Sequence, residues 1–168
     1  NAIQEIAHKM GIPYTSMPIH RKPISFLGSL WTLYQAKPKI EKYIQDHQID
    51  VLMPRSTFPA MMVRSLKNEV IKIIFDADGL PIEERVDFSG LKRDSFQYKW
   101  MKSAETWMLQ RADAVITRSQ KAIDFHIQKI GEKYRDKFSV VLNGRNKEQF
   151  RADPTLRAAA RQELGLKE

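Results

Sequence analysis

Cysteine is absent from all 168 residues, which excludes disulfides and thiolate metal sites and makes a reducing cytosol the natural setting. No apolar run approaches the ~20 residues that a membrane-spanning helix needs, and the start shows no secretory-signal pattern. Histidine is scarce: His8, His20, His47 and His126 have no metal-ligand spacing, so no metal site is expected. The seven glycines are isolated, so neither a P-loop nor a Gly-x-Gly-x-x-Gly fingerprint exists. A Ser-His-Asp arrangement, internal repeats and low-complexity segments are missing as well.

What remains is 42% hydrophobic and 29% charged, the balance of a globular chain with a sizeable core. Lysine and arginine outnumber acidic residues 28 to 20, for a net charge of +8. Such an excess favours phosphates, nucleic acid or an anionic membrane surface. Basic residues group only at His20-Arg-Lys22 and at Lys37, Lys39 and Lys42. Without an aromatic-flanked basic groove or a nucleic-acid motif, no nucleic-acid partner is expected.

Residues 2–10 carry apolar side chains at 3, 6, 7 and 10 and then meet Gly11, the pattern of a helix end. A second helix is expected over 157–166, closed by Gly165. A chain that opens inside a helix reads as a segment of a longer protein. Residues 1–150 are expected to form one partial domain and residues 151–168 the exit toward another.

Between these ends the pattern alternates. A strand is expected at Tyr14–Ile19, then a helical stretch from Leu30 to Ile44 that Pro38 kinks or divides. Strands follow at Asp50–Pro54, Val70–Phe75, 113–117 and 138–142, separated by helices at Phe58–Leu66, Asp94–Arg111 and 120–130. Phe96, Trp100, Met101, Ala104, Trp107 and Met108 fall on an inward face, as do Ala122, Ile123, His126, Ile127 and Ile130. Asp76–Gly90 reads as a long irregular loop. Alternating strands and helices predict an α/β fold, a Rossmann-like parallel sheet with helices on both faces.

Ligands in such sheets gather where the strands end. Arg55 and Ser56 end the second expected strand, Asp76 and Asp78 the third, Arg118 and Ser119 the fourth, and Asn143, Gly144 and Arg145 the fifth. Paired arginines suit an anionic or hydroxyl-rich ligand, although for each taken singly surface ion pairing is the slightly better explanation. Asp76-Ala-Asp78-Gly79 admits four readings. The two carboxylates could hold Mg²⁺ or Mn²⁺ against a diphosphate, act as nucleophile and acid of a haloacid-dehalogenase-like phosphatase, or contact an acceptor sugar. The fourth is a turn in which Asp76 caps backbone amides. The phosphatase pattern is incomplete, with Leu80 where a threonine belongs and no later acidic strand end. Glu83, with Glu84, Arg85 and Asp87, reads as a solvated charged stretch or as a carboxylate that orients a sugar hydroxyl.

Taken together, Ile73-Ile-Phe-Asp-Ala-Asp-Gly79, Trp100…Glu105…Arg111-Ala-Asp-Ala-Val-Ile-Thr-Arg-Ser119, Val140-Val-Leu-Asn-Gly-Arg-Asn146…Phe150 and Arg161-Gln-Glu-Leu-Gly165 resemble a family-4 glycosyltransferase. Order and spacing agree over about residues 50–166, within the N-terminal half of a GT-B fold. The resemblance implies a retaining transfer from a nucleotide-sugar to a carbohydrate or lipid-linked acceptor, with no cofactor and no obligatory metal. It assigns this half to the acceptor and the donor to a C-terminal domain, so the chain alone is expected to be inactive. A cytoplasmic location, with peripheral contact at the inner membrane surface, goes with that reading. Asp78 stands where relatives often carry His or Arg, Arg145 replaces the usual Val and Asn146 the usual Asp. The alternatives are the phosphatase and a basic interaction module that uses the lysine face.

Overall fold

The computed structural model describes residues 2–20, 25–66, 71–144, 147–148 and 151–166. Helices α1 (Ala2–Lys9) and α2 (Ser25–His47) precede strand β1 (Val51–Leu52), helix α3 (Thr57–Arg64) and strand β2 (Lys72–Asp76). Helices α4 (Pro81–Ser89) and α5 (Phe96–Arg111) lead to β3 (Ala114–Thr117), and α6 (Gln120–Ile130) with a 3₁₀ segment (Glu132–Lys137) leads to β4 (Phe138–Val140). Helix α7 (Pro154–Glu163) follows. The four strands form one sheet in the order β1-β2-β3-β4, every neighbouring pair parallel. The expected α/β architecture, a parallel sheet flanked by helices, is what forms.

Period-two alternation explains the layering. Ile73 and Phe75 of β2, with Ala77 just past its end, point into one cluster with Val115 of β3, Ala60 and Val63 of α3, Met108 and Leu109 of α5, and Ile123, Ile127 and Ile130 of α6. Phe75 is almost wholly buried, and cutting it to Ala would cost roughly 3–5 kcal/mol. The opposite face is less covered: Ile74 and Ile116 are half-buried and Val51 is exposed. A second cluster of Met61, Ile82, Met101 and Ala104 ties α3, α4 and α5 together. Ser95 and Ser119 cap α5 and α6 by accepting the Tyr98 and Ala122 N–H groups, and Asp153 caps α7.

Several expectations need correction. Residues 76–90 are not one irregular loop, because Pro81–Ser89 is helical. Pro81 supplies the pre-set φ of a first helical position, Glu83 and Glu84 favour the N-terminus, and Gly90, at φ 68°, closes the helix in the left-handed region. Tyr14–Ile19 forms no strand. That segment lies along α2 instead: the Tyr43 hydroxyl donates to the Pro13 carbonyl and the His20 N–H to Thr32 Oγ1. Pro38 does not divide the helical stretch, and α2 runs through it. Pro38 has no N–H to donate to the Tyr34 carbonyl one turn back, and Tyr34 is 75% exposed. Phe96 is 72% exposed rather than inward, since it opens α5 beyond the neighbouring helices, while Trp100 and Trp107 are half-buried. The C-terminal helix begins three residues earlier than expected, at Pro154 behind its Asp153 cap.

Candidate functional site

Because all four strands run the same way, their carboxyl ends share one edge. Pairing continues past β1, where Arg55 bridges Asp76; the Asp76 N–H donates to the Pro54 carbonyl and the Ser56 N–H to the Asp76 carbonyl. On the other side the Ala77 N–H donates to the Ile116 carbonyl. These bonds seat the Asp76–Gly79 turn between Arg55 and Arg118. Arg55 Nη2 donates to Asp78 Oδ1 at 3.0 Å, and its Nε lies 3.6 Å from Asp76 Oδ2. Arg118 Nη2 pairs with the same Asp78 oxygen. The Asp78 N–H returns to Asp76 Oδ1 at 3.1 Å, so Asp76 caps its own turn while also facing Arg55. Hydrogen bonding to Asp78, then the charges of Asp78 and Asp76, raise the Arg55 pKa above its usual value.

Strain concentrates at this edge. Ser56 sits at φ 63° and ψ −176°, a region that glycine alone normally occupies, and Asp78 is left-handed at φ 50°. Two of the three positive-φ residues other than glycine among the described residues therefore stand on the rim, the third being Gln48. Gly79, at φ 88°, completes the turn. Such backbone persists where surrounding bonds over-determine it, and it clusters at ligand sites.

Beneath the rim lies a second set of charges. His126 of α6 is buried, and its Nε2 lies 3.3 Å from the Gly79 carbonyl, which requires the tautomer with the proton on Nε2. Nδ1 has no hydrogen-bond partner among the described residues. Lys102 of α5 joins two buried carboxylates, Glu83 of α4 at 3.1 Å and Glu105 of its own helix. The Tyr98 hydroxyl donates to Glu83 Oε1 at 3.2 Å, and Arg93 reaches its other oxygen at 3.1 Å. Burial pushes the Glu83 pKa up, but Lys102, Tyr98 and Arg93 outweigh it, so the net shift is downward. Burial opposes charge on Lys102, yet Glu105 and Glu83 raise its pKa on balance. Burial lowers the His126 pKa, and Lys102 and Lys129 add to this against Glu105 and the Gly79 carbonyl.

The fold thus brings Arg55, Ser56, Asp76, Asp78 and Arg118 together at one edge. Ser119 adjoins Arg118, but its hydroxyl is spent on the α6 cap. Asn143 and Gly144 follow β4 and are exposed, while Arg145 lies outside the described residues. Glu83 is neither solvated nor on the rim, because α4 turns it inward to Lys102. Lys102, Tyr98 and Glu105 were not singled out as site residues, and only the three-residue spacing of Lys102 and Glu105 hinted at a pair. Among the described residues no cluster of three or more His, Asp or Glu could hold a metal ion, and no helix is long and apolar enough to cross a membrane.

Away from the rim, α2, α3 and α5 enclose a groove of about 840 Å³. Trp31 and Tyr34 stack at 5.7 Å along it, with Trp100 opposite and Lys37, Lys39 and Arg64 around it.

No curated protein matches the chain closely enough to add to this picture. The family model of Glycosyltransferase Family 4 matches residues 7–149, most of the sequence and every strand of the sheet. The chain belongs to glycosyltransferase family 4.

Proposed function

We propose that this chain is the acceptor-binding half of a retaining glycosyltransferase that moves a sugar from a nucleotide-sugar to a carbohydrate or lipid-linked acceptor. In that transfer the bond from the anomeric carbon to the diphosphate breaks and a bond to an acceptor hydroxyl forms. The hydroxyl proton departs, and the nucleoside diphosphate leaves with the electron pair. The observation that carries the reading is the Arg55–Asp76–Asp78–Arg118 group at the carboxyl edge of a parallel sheet in a family-4 chain. Carboxylates accept from sugar hydroxyls and guanidiniums donate to them, so the group can fix an acceptor in one orientation. Asn143 and Gly144 extend the same edge and Arg145 follows them in sequence. The groups that hold the donor belong, on this reading, to a further domain.

Release of nucleoside diphosphate from a panel of nucleotide-sugars tests this. The 168-residue chain alone releases none, while the intact gene product does so and loses at least about tenfold in rate with Asp76→Ala. Turnover by the chain alone, or none by the intact product with any donor, contradicts the reading.

The groove supports a second, compatible reading as a contact with an anionic membrane surface. Trp31 and Tyr34 offer apolar bodies with polar tips, and Lys37, Lys39 and Arg64 supply positive charge. Co-sedimentation with anionic vesicles that persists undiminished in Trp31→Ala/Lys39→Glu chains would contradict it.

A further inference from the structure

Two arginines whose guanidiniums meet at one point ordinarily mark a place for a phosphate or carboxylate. Here that point is already filled. One Asp78 oxygen receives both Arg55 and Arg118, and Asp76 stands beside Arg55. The two guanidinium charges are cancelled by two carboxylates. Glu84 adds a third, with its Oε1 3.7 Å from where a side chain on Gly79 would start. Among the described residues the rim is therefore neutral to acidic, inside a chain whose net charge is +8.

The Asp78 side chain is not free to swing away. Its left-handed backbone, its N–H bond to Asp76 Oδ1 and the two arginines hold it in place. An incoming anion would have to displace Asp78 or sit beside carboxylates that already take up the charge of both guanidiniums, and both are unfavourable. A neutral, hydroxyl-rich ligand meets no such conflict, because hydroxyls can donate to the carboxylate lone pairs left open and accept from the outer guanidinium N–H groups. Arg55 and Arg118 remain 55% and 43% exposed, so those groups can be reached.

We propose that Asp78 is a specificity-determining residue that makes this rim select neutral, polyhydroxylated acceptors and turn away phosphorylated or carboxylated ones. The inference rests on the acceptor-side reading above and names the substrate class of that site. It differs from a plain pair of surface ion bridges in requiring that removal of the Asp78 charge create an anion site.

The test is an NMR titration of the Arg55 and Arg118 Nε–H signals in the wild-type chain, Asp78→Asn and Asp78→Ala. The probes are inorganic phosphate, a panel of neutral methyl glycosides and their 6-phosphates. In the wild type, phosphate and the 6-phosphates give no saturable shift at these signals. In Asp78→Asn, phosphate saturates both arginines at concentrations at least about tenfold below the highest that leaves the wild type unsaturated, and added salt weakens it. Asp78→Ala, which also removes the hydrogen bonds, behaves the same way, and unchanged β2 and β3 amide signals verify folding. Saturable phosphate binding at the wild-type arginines overturns the proposal, as does a folded Asp78→Asn chain that gains none. Rim signals that ignore every methyl glycoside, while phosphate behaves as described, instead bring down the acceptor-side reading and leave the charge gate standing.

Discussion

Two groups of ionisable side chains lie one above the other in this molecule, and they differ in exposure and in the backbone that holds them. The rim group has its guanidiniums, Arg55 and Arg118, open to water and its carboxylates, Asp76 and Asp78, partly covered, and strained backbone holds it. The group beneath it, Glu83, Lys102, Glu105 and His126, is buried and sits on regular helices. Exposed ion pairs contribute little to stability because water already solvates their charges, so the rim is available for a ligand. Buried charges cannot lose a partner without a large penalty, so the lower group fixes the position of what stands on it. The contact between the two is the His126–Gly79 bond, which ties α6 to the turn that carries Asp78.

That contrast gives its largest effect when the lower group is broken. Lys102→Ala leaves Glu83 and Glu105 buried with a lost partner and lowers stability by roughly 3–5 kcal/mol, read from urea unfolding. Loss of under about 1 kcal/mol would place this group in the same class as the rim.

The pH dependence sharpens the comparison next. The His126 pKa is lower in the folded state than in the unfolded chain, so the unfolded chain binds the proton more readily. The His126 contribution is therefore fully present above its ordinary value of about 6.5 and is lost as pH falls through the folded value. The Glu83 pKa is lowered as well, so its contribution is fully present above its ordinary value of about 4.3 and is lost as pH falls through the lower folded value. Unfolding free energy measured against pH should decline in these two windows. His126→Gln, which keeps a donor for the Gly79 carbonyl, should flatten the first decline and leave the second.

Rim substitutions come after these. Arg118→Ala should change stability by less than about 1 kcal/mol in urea unfolding, because its side chain is partly exposed, yet abolish saccharide-induced shifts at Asp78. A stability loss comparable to that of Lys102→Ala would erase the distinction between the layers. Ser56→Gly is expected to be the smallest effect, a gain of about 0.5–1 kcal/mol in thermal unfolding. Relief of the glycine-only backbone conformation outweighs the added chain entropy there.

How much of this could be read in the sequence follows from the range of each interaction. The end of β3, the Ser119 cap and the inward face of α6 are local, set by spacing within a dozen residues, and they stand as expected, while β1 and β4 each end two residues early. Helix α4 escaped because Leu80 offers no capping side chain and only Ile82 and Glu83 face inward, so the stretch looked solvated. Pro81 and Gly90 were the legible punctuation. The expected strand at Tyr14–Ile19 had a suitable local pattern, but a strand needs a partner, and the backbone groups that flank it, the Pro13 carbonyl and the His20 N–H, bond to side chains of α2. The Glu83–Lys102 pair spans nineteen residues and two helices, and pattern alone carries no sign of such a meeting.

The claim that the carboxyl edge of the sheet receives the acceptor is tested most directly by mapping amide and side-chain NMR shifts as neutral saccharides are added. Shifts are expected to centre on Arg55, Asp76, Asp78 and Arg118 and to fade toward the α2–α5 groove. Saturable shifts centred on Trp31 and Tyr34, with the rim unmoved, would contradict it.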